Sequence, residues 1–390
     1  MGRHETGVIV TDRGAARVRS GHPWVYRSDI SEAAGEAGDV VRVNDRRGKF
    51  LGKAFYNPGS QISLRLVTRD DEPVDESWFA SKVQAALDYR QTLAIDADAY
   101  RLIHGEADGI PGLVVDRYGD YLVLQVGSAA VERRLEWVTG RLVEQLNPSG
   151  ILARNDSAAR KREGLSTETR VLSGNVPESI IVREGAVRHR VDPWGGQKTG
   201  GFLDQRENHR AAGRYATGRV LDVFSYTGGF ALHAAQKADT VEAVDASGPA
   251  LHAARANAGL NGLENITFTR ASAFDLLRER SDTGERYDTV ILDPPAFAKS
   301  KRDLKKAARA YKEINLRAMK LLSPGGILVT CSCSFHFSRE LMEETLRAAA
   351  ADAVRTMRLR EWRGQSADHP ELLTVPETGY LKCAVLERVG

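Results

Sequence analysis

The sequence predicts an α/β protein in which two smaller, strand-rich parts precede a mostly parallel sheet covered by helices on both faces. From about residue 191 onward, apolar strand patterns alternate with helical patterns, which indicates a parallel sheet. Residues 1–70 consist mainly of short strand patterns, and residues 101–190 mix hairpins with helical segments. A chain of 390 residues that is 42% hydrophobic is long enough for two or three domains with cores of their own.

The first part predicts a small mixed β-barrel, with turns at Gly48, Gly52, Pro58 and Gly59. Residues 1–70 carry 12 Lys and Arg against 8 Asp and Glu, whereas the whole chain nets only +3. This basic excess suits an accessory nucleic-acid-binding module, and a solvated surface is the alternative. The strand patterns lie at 7–11, 39–45, 50–56 and 61–67.

A second α/β pattern follows an acidic linker at 70–77. Its hairpins and helices predict a small α+β part between the barrel and the parallel sheet. The predicted elements are a helix at about 78–94, a hairpin at 113–126, a helix at about 129–146, a strand from 151 and a hairpin at 180–191.

The third part contains five apolar strands separated by helical segments, followed by one further strand pattern at the end of the chain. We expect the last one to add an edge strand to the parallel sheet. The strands lie at 219–224, 241–246, 266–272, 289–295, 326–332 and 379–389.

Composition and cysteine content exclude two classes of protein. The first residues contain no apolar stretch of the kind found in secretory signals, and no apolar run approaches the roughly 18 residues that span a bilayer. Three cysteines do not make a disulfide framework. We therefore expect a cytoplasmic protein without membrane contact.

The segment VLDVFSYTGGFALHAA at 220–235 carries the clearest functional signal. A strand ends near Asp222, and a turn with Gly228 and Gly229 leads into a helix, as at the ligand-binding edge of an open parallel sheet. Glycines allow the backbone to approach a bound molecule closely. The turn lacks the G-x-G-x-x-G spacing of dinucleotide sites, so a nucleoside without a pyrophosphate, such as S-adenosylmethionine, fits better.

Three further positions predict how this nucleoside would be held. Asp245 ends the second strand, where an acid accepts hydrogen bonds from ribose hydroxyls; helix capping is its alternative role. Ser272, or Asp275 in its place, would accept a bond from the adenine amino group. The aromatic rings of Phe224 and Tyr226 suit a sulfonium cation, with core packing as the alternative for both.

A rigid loop begins at Asp293, which is followed by two prolines at the end of an apolar strand. Asp293 is therefore expected at the same edge of the sheet, near both the cofactor and the reacting base. Methyltransferases that act on amino groups place an aromatic residue directly after the prolines to stack on a base. Here Ala296 stands between the prolines and Phe297, which counts against that reaction.

The next strand ends in TCSCSFH, and its cysteines suggest a different reaction. Carbon 5 of cytosine is a poor nucleophile until a thiolate adds to carbon 6, whereas an exocyclic amine needs no such help. We favour Cys333 over Cys331 as this thiolate because it lies nearer the strand tip, with buried packing of both as the alternative. The cysteines and His336 offer no obvious fourth metal ligand, so no metal is expected.

A basic run adjoins the Asp293 loop. Asp303 could cap the helix that follows, whose apolar positions recur every three or four residues, so the positive charges lie on its solvent side. We expect these residues to contact RNA phosphates, and a merely solvated face is the alternative. The predicted RNA-binding residues are Lys299, Lys301, Arg302, Lys305 and Lys306.

Taken together, these motifs make the chain resemble the RlmI-like methyltransferases, which form 5-methylcytosine in large-subunit ribosomal RNA. The resemblance covers essentially the whole length. Its most specific pieces lie at 195–210, 220–235, 292–301, 332–336 and 368–370.

The resemblance implies a PUA-like RNA-binding domain over 1–72, a central α+β domain of the EEHEE type over 73–190, and a Rossmann-like methyltransferase domain with a seven-stranded sheet over 191–390. It also implies that the segment with Gln205 and Arg206 crosses the cofactor pocket, with a structural role at the helix start as the alternative. The full set of predicted cofactor-binding residues is Asp222, Phe224, Tyr226, Thr227, Gly228, Gly229, Asp245, Ala246, Ser272, Ala273, Asp293, Gln205 and Arg206.

The sequence thus predicts an S-adenosylmethionine-dependent enzyme that methylates carbon 5 of a cytidine in large-subunit rRNA. Cys333 would be the nucleophile, and Asp293 would orient the base. Methylation of an exocyclic base amine and a non-catalytic role in ribosome assembly are the alternatives. The expected partner is rRNA, and a homodimer is compatible with this interpretation.

Overall fold

The computed structural model describes residues 6–298 and 300–390. They form two compact units. The first contains the chain up to Ile180 together with Val191–Gly201 and Ala367–Thr378, and the second contains Ile181–Arg190, Phe202–Ser366 and Gly379–Gly390. Within the described residues, no helix has both the length and the apolarity to cross a membrane.

The first unit begins with a six-stranded, mostly antiparallel sheet, which agrees with the small mixed β-barrel predicted from the sequence. Alternate side chains such as Val8, Val10, Val41 and Val43 point inward and form its core. The strand order is β2-β6-β5-β4-β1-β3. The elements are β1 (Gly7–Val10), α1 (Asp12–Arg19), β2 (Trp24–Tyr26), β3 (Ile30–Ala33), β4 (Val40–Asp45), β5 (Phe50–Tyr56) and β6 (Ile62–Thr68).

A five-stranded sheet follows in the same unit, and it confirms the predicted α+β part. Two details of the prediction were wrong: the helix expected at 129–146 is interrupted, and the strands β7 and β11 were not foreseen. The order is β11-β10-β9-β8-β7. The elements are α2 (Glu76–Thr92), β7 (Ala99–His104), β8 (Leu113–Tyr118), β9 (Tyr121–Val126), α3 (Ala129–Glu132), α4 (Leu135–Leu146), β10 (Gly150–Asn155), α5 (Ala158–Arg162) and β11 (Glu168–Gly174).

The second unit is built on a seven-stranded sheet, preceded by the hairpin β12 (Ile180–Glu184) and β13 (Val187–Val191). The sheet order is β16-β15-β14-β17-β18-β20-β19, and only β20 runs antiparallel to the rest. Its elements are α6 (Arg206–Tyr215), β14 (Arg219–Val223), α7 (Gly229–Ala235), β15 (Thr240–Asp245), α8 (Gly248–Leu260), β16 (Ile266–Arg270), α9 (Ala273–Thr283), β17 (Tyr287–Leu292), α10 (Leu304–Leu321), β18 (Leu322–Ser332), α11 (Arg339–Ala353), β19 (Thr356–Arg363) and β20 (Lys382–Val389).

Helices cover both faces of this sheet because alternate strand residues point to opposite sides. Leu221 and Val223 of β14 pack in the core that includes residues of α9, α10 and α11. Val220 of the same strand packs in the opposite core, which includes residues of α6, α7 and α8. The predicted mostly parallel, helix-covered sheet is thus confirmed.

One prediction about this sheet was wrong. The last strand, β20, is not at the edge but lies between β18 and β19. The edge belongs to β19, which the sequence did not reveal because Arg358, Arg360 and Arg363 interrupt its apolar residues. Pairing with β20 holds this polar segment extended, so tertiary context decides its conformation.

Candidate active site

Four predicted site residues lie at the carboxyl ends of adjacent parallel strands. Asp245 ends β15, Asp222 lies one residue before the end of β14, and Asp293 and Cys333 directly follow β17 and β18. The strands are hydrogen-bonded neighbours in the order β15, β14, β17, β18. Ligands of open parallel sheets bind at this edge, so the fold brings these residues to one side of the molecule.

The loop after β14 has an unusual backbone. Phe224 and Tyr226 have φ angles of +67° and +51°, a region that non-glycine residues rarely adopt. Gly228 has a φ of +91° at the residue before α7, where a side chain would be strained. Such strain persists where the surrounding structure enforces it, typically at functional sites. The loop also begins with a bond from the Ser225 N–H to the Val244 carbonyl at 3.0 Å.

Asp222 is completely buried beneath this loop. Its Oδ2 accepts a hydrogen bond of 2.6 Å from the Ser225 hydroxyl, while its Oδ1 has no hydrogen-bond partner among the described residues. Burial raises the pKa of Asp222 to about 7, and the nearby Asp293 carboxylate adds to the rise. An unsatisfied buried oxygen of this kind suits a donor group of a bound ligand.

Asp245 connects the strained loop to β15. Its Oδ2 accepts the Tyr226 N–H at 2.9 Å and its Oδ1 accepts the Ser247 N–H at 2.8 Å. The helix α8 is capped by Ser247, whose hydroxyl accepts the Ala250 N–H at 3.3 Å. Asp245 is therefore not the side-chain cap of α8, and each carboxylate oxygen retains a second acceptor position for a ribose hydroxyl.

Several of the other predicted cofactor contacts lie in the loops that follow β14 and β15. Phe224 packs edge-on against Phe297 with ring centres 6.4 Å apart, and Tyr226 lies edge-on to Phe202 at 5.4 Å. The Thr227 carbonyl accepts a bond from Asn257, and the Ala246 carbonyl accepts one from Arg270.

At the start of α9, Ser272 is exposed and precedes Ala273, the first residue of the helix. Among the described residues, its hydroxyl makes no capping bond. The side chain of Asp275, the alternative acid, is 75% exposed and lies 3.9 Å from Arg278. Both side chains are therefore accessible to a ligand at the start of α9.

Gln205 and Arg206 lie at the junction of a short 3-10 turn and α6, and both are buried. The Gln205 amide donates a hydrogen bond of 2.8 Å to Asp293, and it accepts one of 2.7 Å from Asn208. Arg206 lies 3.5 Å from Glu207. Gln205 is thus brought to the Asp293 carboxylate.

A tyrosine hydroxyl connects the Asp293 loop to the cysteine-containing loop. Tyr311 of α10 accepts a bond of 3.0 Å from Ser332 and pairs at 3.0 Å with the hydroxyl of Ser334. The Ser334 hydroxyl also accepts the Ala298 N–H at 3.1 Å. Phe297 packs on the Tyr311 ring with centres 4.8 Å apart. These contacts fix both loops, and with them the backbone on each side of Cys333.

The two candidate cysteines have different environments. Cys331 lies inside β18, is completely buried and pairs across the sheet with Cys383. Burial and the contact with Cys383 hold the pKa of Cys331 well above its usual value, so this thiol stays protonated. Cys333 is half-buried and directly follows the strand.

The basic run lies as expected along the start of α10. Lys301 and Arg302 form part of a 3-10 turn, Lys305 and Lys306 lie on the helix, and all four are exposed. Within the described part of the chain they form no ion pair. Lys299 lies outside the described residues. Asp303 precedes the helix but accepts the Ser300 hydroxyl at 2.8 Å rather than a helix N–H.

Sequence reasoning missed several residues that shape the site. Tyr311 lies on the apolar side of α10, and no pattern in the sequence revealed the contacts of its hydroxyl. Lys382 of β20 donates to the Ser334 carbonyl at 2.7 Å. Asn208, which supports Gln205, was hidden in a helix-start motif. Only the polar serines on either side of Cys333 could have signalled this network.

This fold and this site together define the class of protein. A seven-stranded sheet with one antiparallel strand, a strained loop after β14, the buried Asp222 and further acids at the carboxyl ends of the neighbouring strands are typical of an S-adenosylmethionine-dependent methyltransferase. Family models agree: residues 8–69 match a PUA-like domain and residues 120–369 match the S-adenosylmethionine-dependent methyltransferases. The predicted cofactor and the PUA-like character of the first part are thereby confirmed.

Relatives with this architecture give the family. A ribosomal RNA large subunit methyltransferase I of Photobacterium profundum is 43% identical over 97% of this chain and 98% of its own length. The proteins of that name from Tolumonas auensis and Vibrio cholerae are 42% and 41% identical over 98% and 95% of this chain, and over 99% and 96% of their own lengths. The chain therefore belongs to the ribosomal RNA large subunit methyltransferase I family.

Solved structures agree with the fold. A Streptococcus mutans structure described as a SAM-dependent methyltransferase superposes with a TM-score of 0.83 at 20% identity, covering 98% of this chain and 99% of that one. A methyltransferase structure complexed with SAH gives a TM-score of 0.85 at the same identity and coverage. At this identity the likeness supports the architecture alone.

Proposed function

We propose that this protein transfers a methyl group from S-adenosylmethionine to carbon 5 of a cytidine in large-subunit rRNA, through a covalent bond between Cys333 and carbon 6. The rRNA substrate is that named for its relatives. The observation that carries the proposal is the placement of Cys333 and Asp293 directly after two hydrogen-bonded parallel strands.

The cofactor would lie at the edge formed by β14 and β15. The unsatisfied Oδ1 of Asp222 and the outward acceptor positions of Asp245 fit the donors of a nucleoside with a cationic side chain. S-adenosylmethionine supplies a methyl group on a positively charged sulfur. The other predicted contacts, from Gln205 and Arg206 to Ser272 and Ala273, remain part of this proposal.

The reaction assigns one task to each residue. The Cys333 thiolate adds to carbon 6 of the cytosine, and the electron pair of the 5,6 double bond becomes available at carbon 5 to take the methyl group. Asp293 holds ring nitrogen 3 and the amino group and stabilises the protonated adduct. Methyl transfer would leave S-adenosylhomocysteine. A water molecule acting as the base would then take the proton from carbon 5, and the electrons of that C–H bond would restore the 5,6 double bond and expel the Cys333 thiolate.

Two observations support this reaction over methylation of an exocyclic amine. Cys331 is buried and protonated, whereas Cys333 lies past the strand end, where a base can approach. Phe297 packs against Phe224, Phe274 and Tyr311, so its ring is engaged in the core rather than presented to a base.

RNA would reach the site along the exposed residues Lys301, Arg302, Lys305 and Lys306, with Lys299 as a further predicted contact. The PUA-like domain would add a second RNA contact. We place this activity in the cytoplasm, where rRNA is assembled into ribosomes. A homodimer is a further prediction that sedimentation would check.

Nucleoside analysis tests the proposal. Purified protein, labelled S-adenosylmethionine and unmodified 23S rRNA should give labelled 5-methylcytidine after digestion. Cys333→Ala should abolish the label and Cys331→Ala, the matched control, should retain it. Label on an exocyclic nitrogen, or transfer that survives replacement of both cysteines, would refute the cytosine-C5 mechanism. RNA binding without transfer would favour the non-catalytic role.

A further inference from the structure

A buried cluster of one carboxylate and three imidazoles lies next to the helix α7. Glu184 ends β12, His189 lies in β13, His209 lies on α6 and His233 lies on α7. All four belong to the second unit, and their side chains are only 8% to 13% exposed. None of them has a task in the methyl transfer proposed above.

Two histidines and the carboxylate converge on one point. One ligand atom each from Glu184, His189 and His233 lie within 4.8 Å of one another. Nε2 of His233 is 3.0 Å from Oε1 of Glu184, and Nε2 of His189 is 3.8 Å from Oε2. His209 approaches from another side and its Nδ1 lies 3.0 Å from Oε1.

Hydrogen bonding within the protein leaves part of this cluster unsatisfied. Nδ1 of His209 is hydrogen-bonded to Oε1 of Glu184, so this carboxylate oxygen has a partner. Nε2 of His233 lies close to Glu184 without the direction of a hydrogen bond, and Nε2 of His189 is 3.8 Å from Oε2, so neither buried nitrogen has a hydrogen-bond partner among the described residues. Buried polar nitrogens are costly when unpaired, so two of them beside one carboxylate call for a ligand between them.

We propose that Glu184, His189 and His233 bind a divalent transition-metal ion, most readily Zn²⁺, and that His209 orients the carboxylate through its hydrogen bond. Imidazole and carboxylate are established ligands of this ion, and bonds of about 2.0–2.2 Å place ligand atoms roughly 3–3.5 Å apart. The separations of 3.0 and 3.8 Å are close to that spacing. A histidine that bonds a ligating carboxylate from behind is a common support in metal sites.

The position of the site indicates a structural role. The ion would join the hairpin β12–β13 to α7, the helix that follows the strained cofactor loop. The imidazole of His209 also lies against Gly229, where an added Cβ would come within 2.6 Å of the ring. Bound metal would thus stiffen the support behind the cofactor loop and take no part in the chemistry.

Metal titration of the full-length protein tests this inference. After treatment with EDTA, calorimetry with Zn²⁺ and visible absorption with Co²⁺ should show one site per chain. His189→Asn and Glu184→Gln should each weaken Zn²⁺ binding by more than about 100-fold, and His209→Gln by about 10- to 100-fold as a supporting residue. The matched control is His252→Asn, an exposed histidine on α8, which should bind like the parent.

Circular dichroism of each variant separates the removal of a ligand from a failure to fold. The inference is overturned if the stripped parent protein binds neither ion stoichiometrically. It is equally overturned if a folded His189→Asn variant and a folded Glu184→Gln variant bind Zn²⁺ as tightly as the parent. Because the readout is metal binding, either result leaves the proposed methyl transfer untouched.

Discussion

The side-chain amide of Gln205 donates a hydrogen bond of 2.8 Å to the carboxylate of Asp293. Asn208 donates to Gln205 at 2.7 Å, and the guanidinium of Arg363 donates to Asn208 at 3.0 Å. This chain of bonds links α6 and β19 to the loop after β17, and it fixes the orientation of the acid that we assign to the cytosine.

Replacing Gln205 with alanine should therefore slow methyl transfer. A hydrogen bond to a charged group contributes about 1.5–3 kcal/mol, so we expect a loss of roughly 10- to 100-fold in the single-turnover rate. Gln236→Ala, an exposed glutamine just after α7, is the matched control and should be neutral. Retention of the full rate by Gln205→Ala would show that Asp293 needs no such support.

The hydroxyl of Tyr311 should matter more than its ring for the geometry of Cys333. Tyr311→Phe keeps the packing against Phe297 and Phe337 but removes the bonds to Ser332 and Ser334. Leaving these buried hydroxyls without their shared partner should lower the free energy of unfolding by about 1–3 kcal/mol and slow methyl transfer. Urea unfolding and single-turnover rates measure the two effects. An unchanged rate in a destabilised variant would contradict a positioning role.

Asp222 should make the stability of the ligand-free protein depend on pH. Its pKa is about 7 in the folded protein, against the ordinary value of 3.8 that applies when the chain is unfolded. Between these two pH values the folded state therefore retains a proton that the unfolded state has lost. The contribution of this proton to the free energy of unfolding is therefore fully present below pH 4. It falls by about 1.4 kcal/mol per pH unit and levels off near pH 7.

Urea unfolding at pH 5 and pH 8 measures this effect. The free energy of unfolding of the parent relative to Asp222→Asn should fall by roughly 3 kcal/mol between them. A difference that stays constant, or rises with pH, would mean that Asp222 is ionised throughout in the folded protein.

The sequence predicted most of the second unit because its strands are apolar and its helices regular. Asp222, Asp245 and Asp293 could be placed at one edge of the sheet from strand order alone. The position of β20 in the sheet could not be predicted in this way. Its outer partner, β19, is a polar segment, and nothing in the local sequence of β20 distinguishes an inner strand from an edge strand.

The histidine cluster was beyond sequence reasoning for another reason. Glu184 and His189 lie on a hairpin, whereas His209 and His233 lie on two separate helices. Metal ligands that are close in sequence leave a recognisable spacing, but these converge only through tertiary packing. The same holds for Tyr311, whose hydroxyl meets Ser332 and Ser334 across 20 or more positions of the chain.

The exposed basic residues at the start of α10 should act through RNA phosphates. Lys305→Ala combined with Lys306→Ala should weaken rRNA binding and reduce the slope of log K against log salt by about 0.7–0.9 for each phosphate that is no longer neutralised. Lys312→Ala is the matched control because Lys312 pairs with Asp352 at 2.6 Å. Filter binding over a range of salt concentrations measures both. An unchanged slope in the double variant would assign these lysines to a solvated face.

The covalent step is the central claim, and trapping the adduct tests it most directly. Fluorine at carbon 5 of cytidine blocks the last proton loss, so the enzyme should remain bound to the RNA after methyl transfer. With labelled S-adenosylmethionine and rRNA that contains 5-fluorocytidine, we expect a protein–RNA band that survives denaturation. It should persist in Cys331→Ala and disappear in Cys333→Ala. Methyl transfer by a protein that lacks both cysteines would contradict the account.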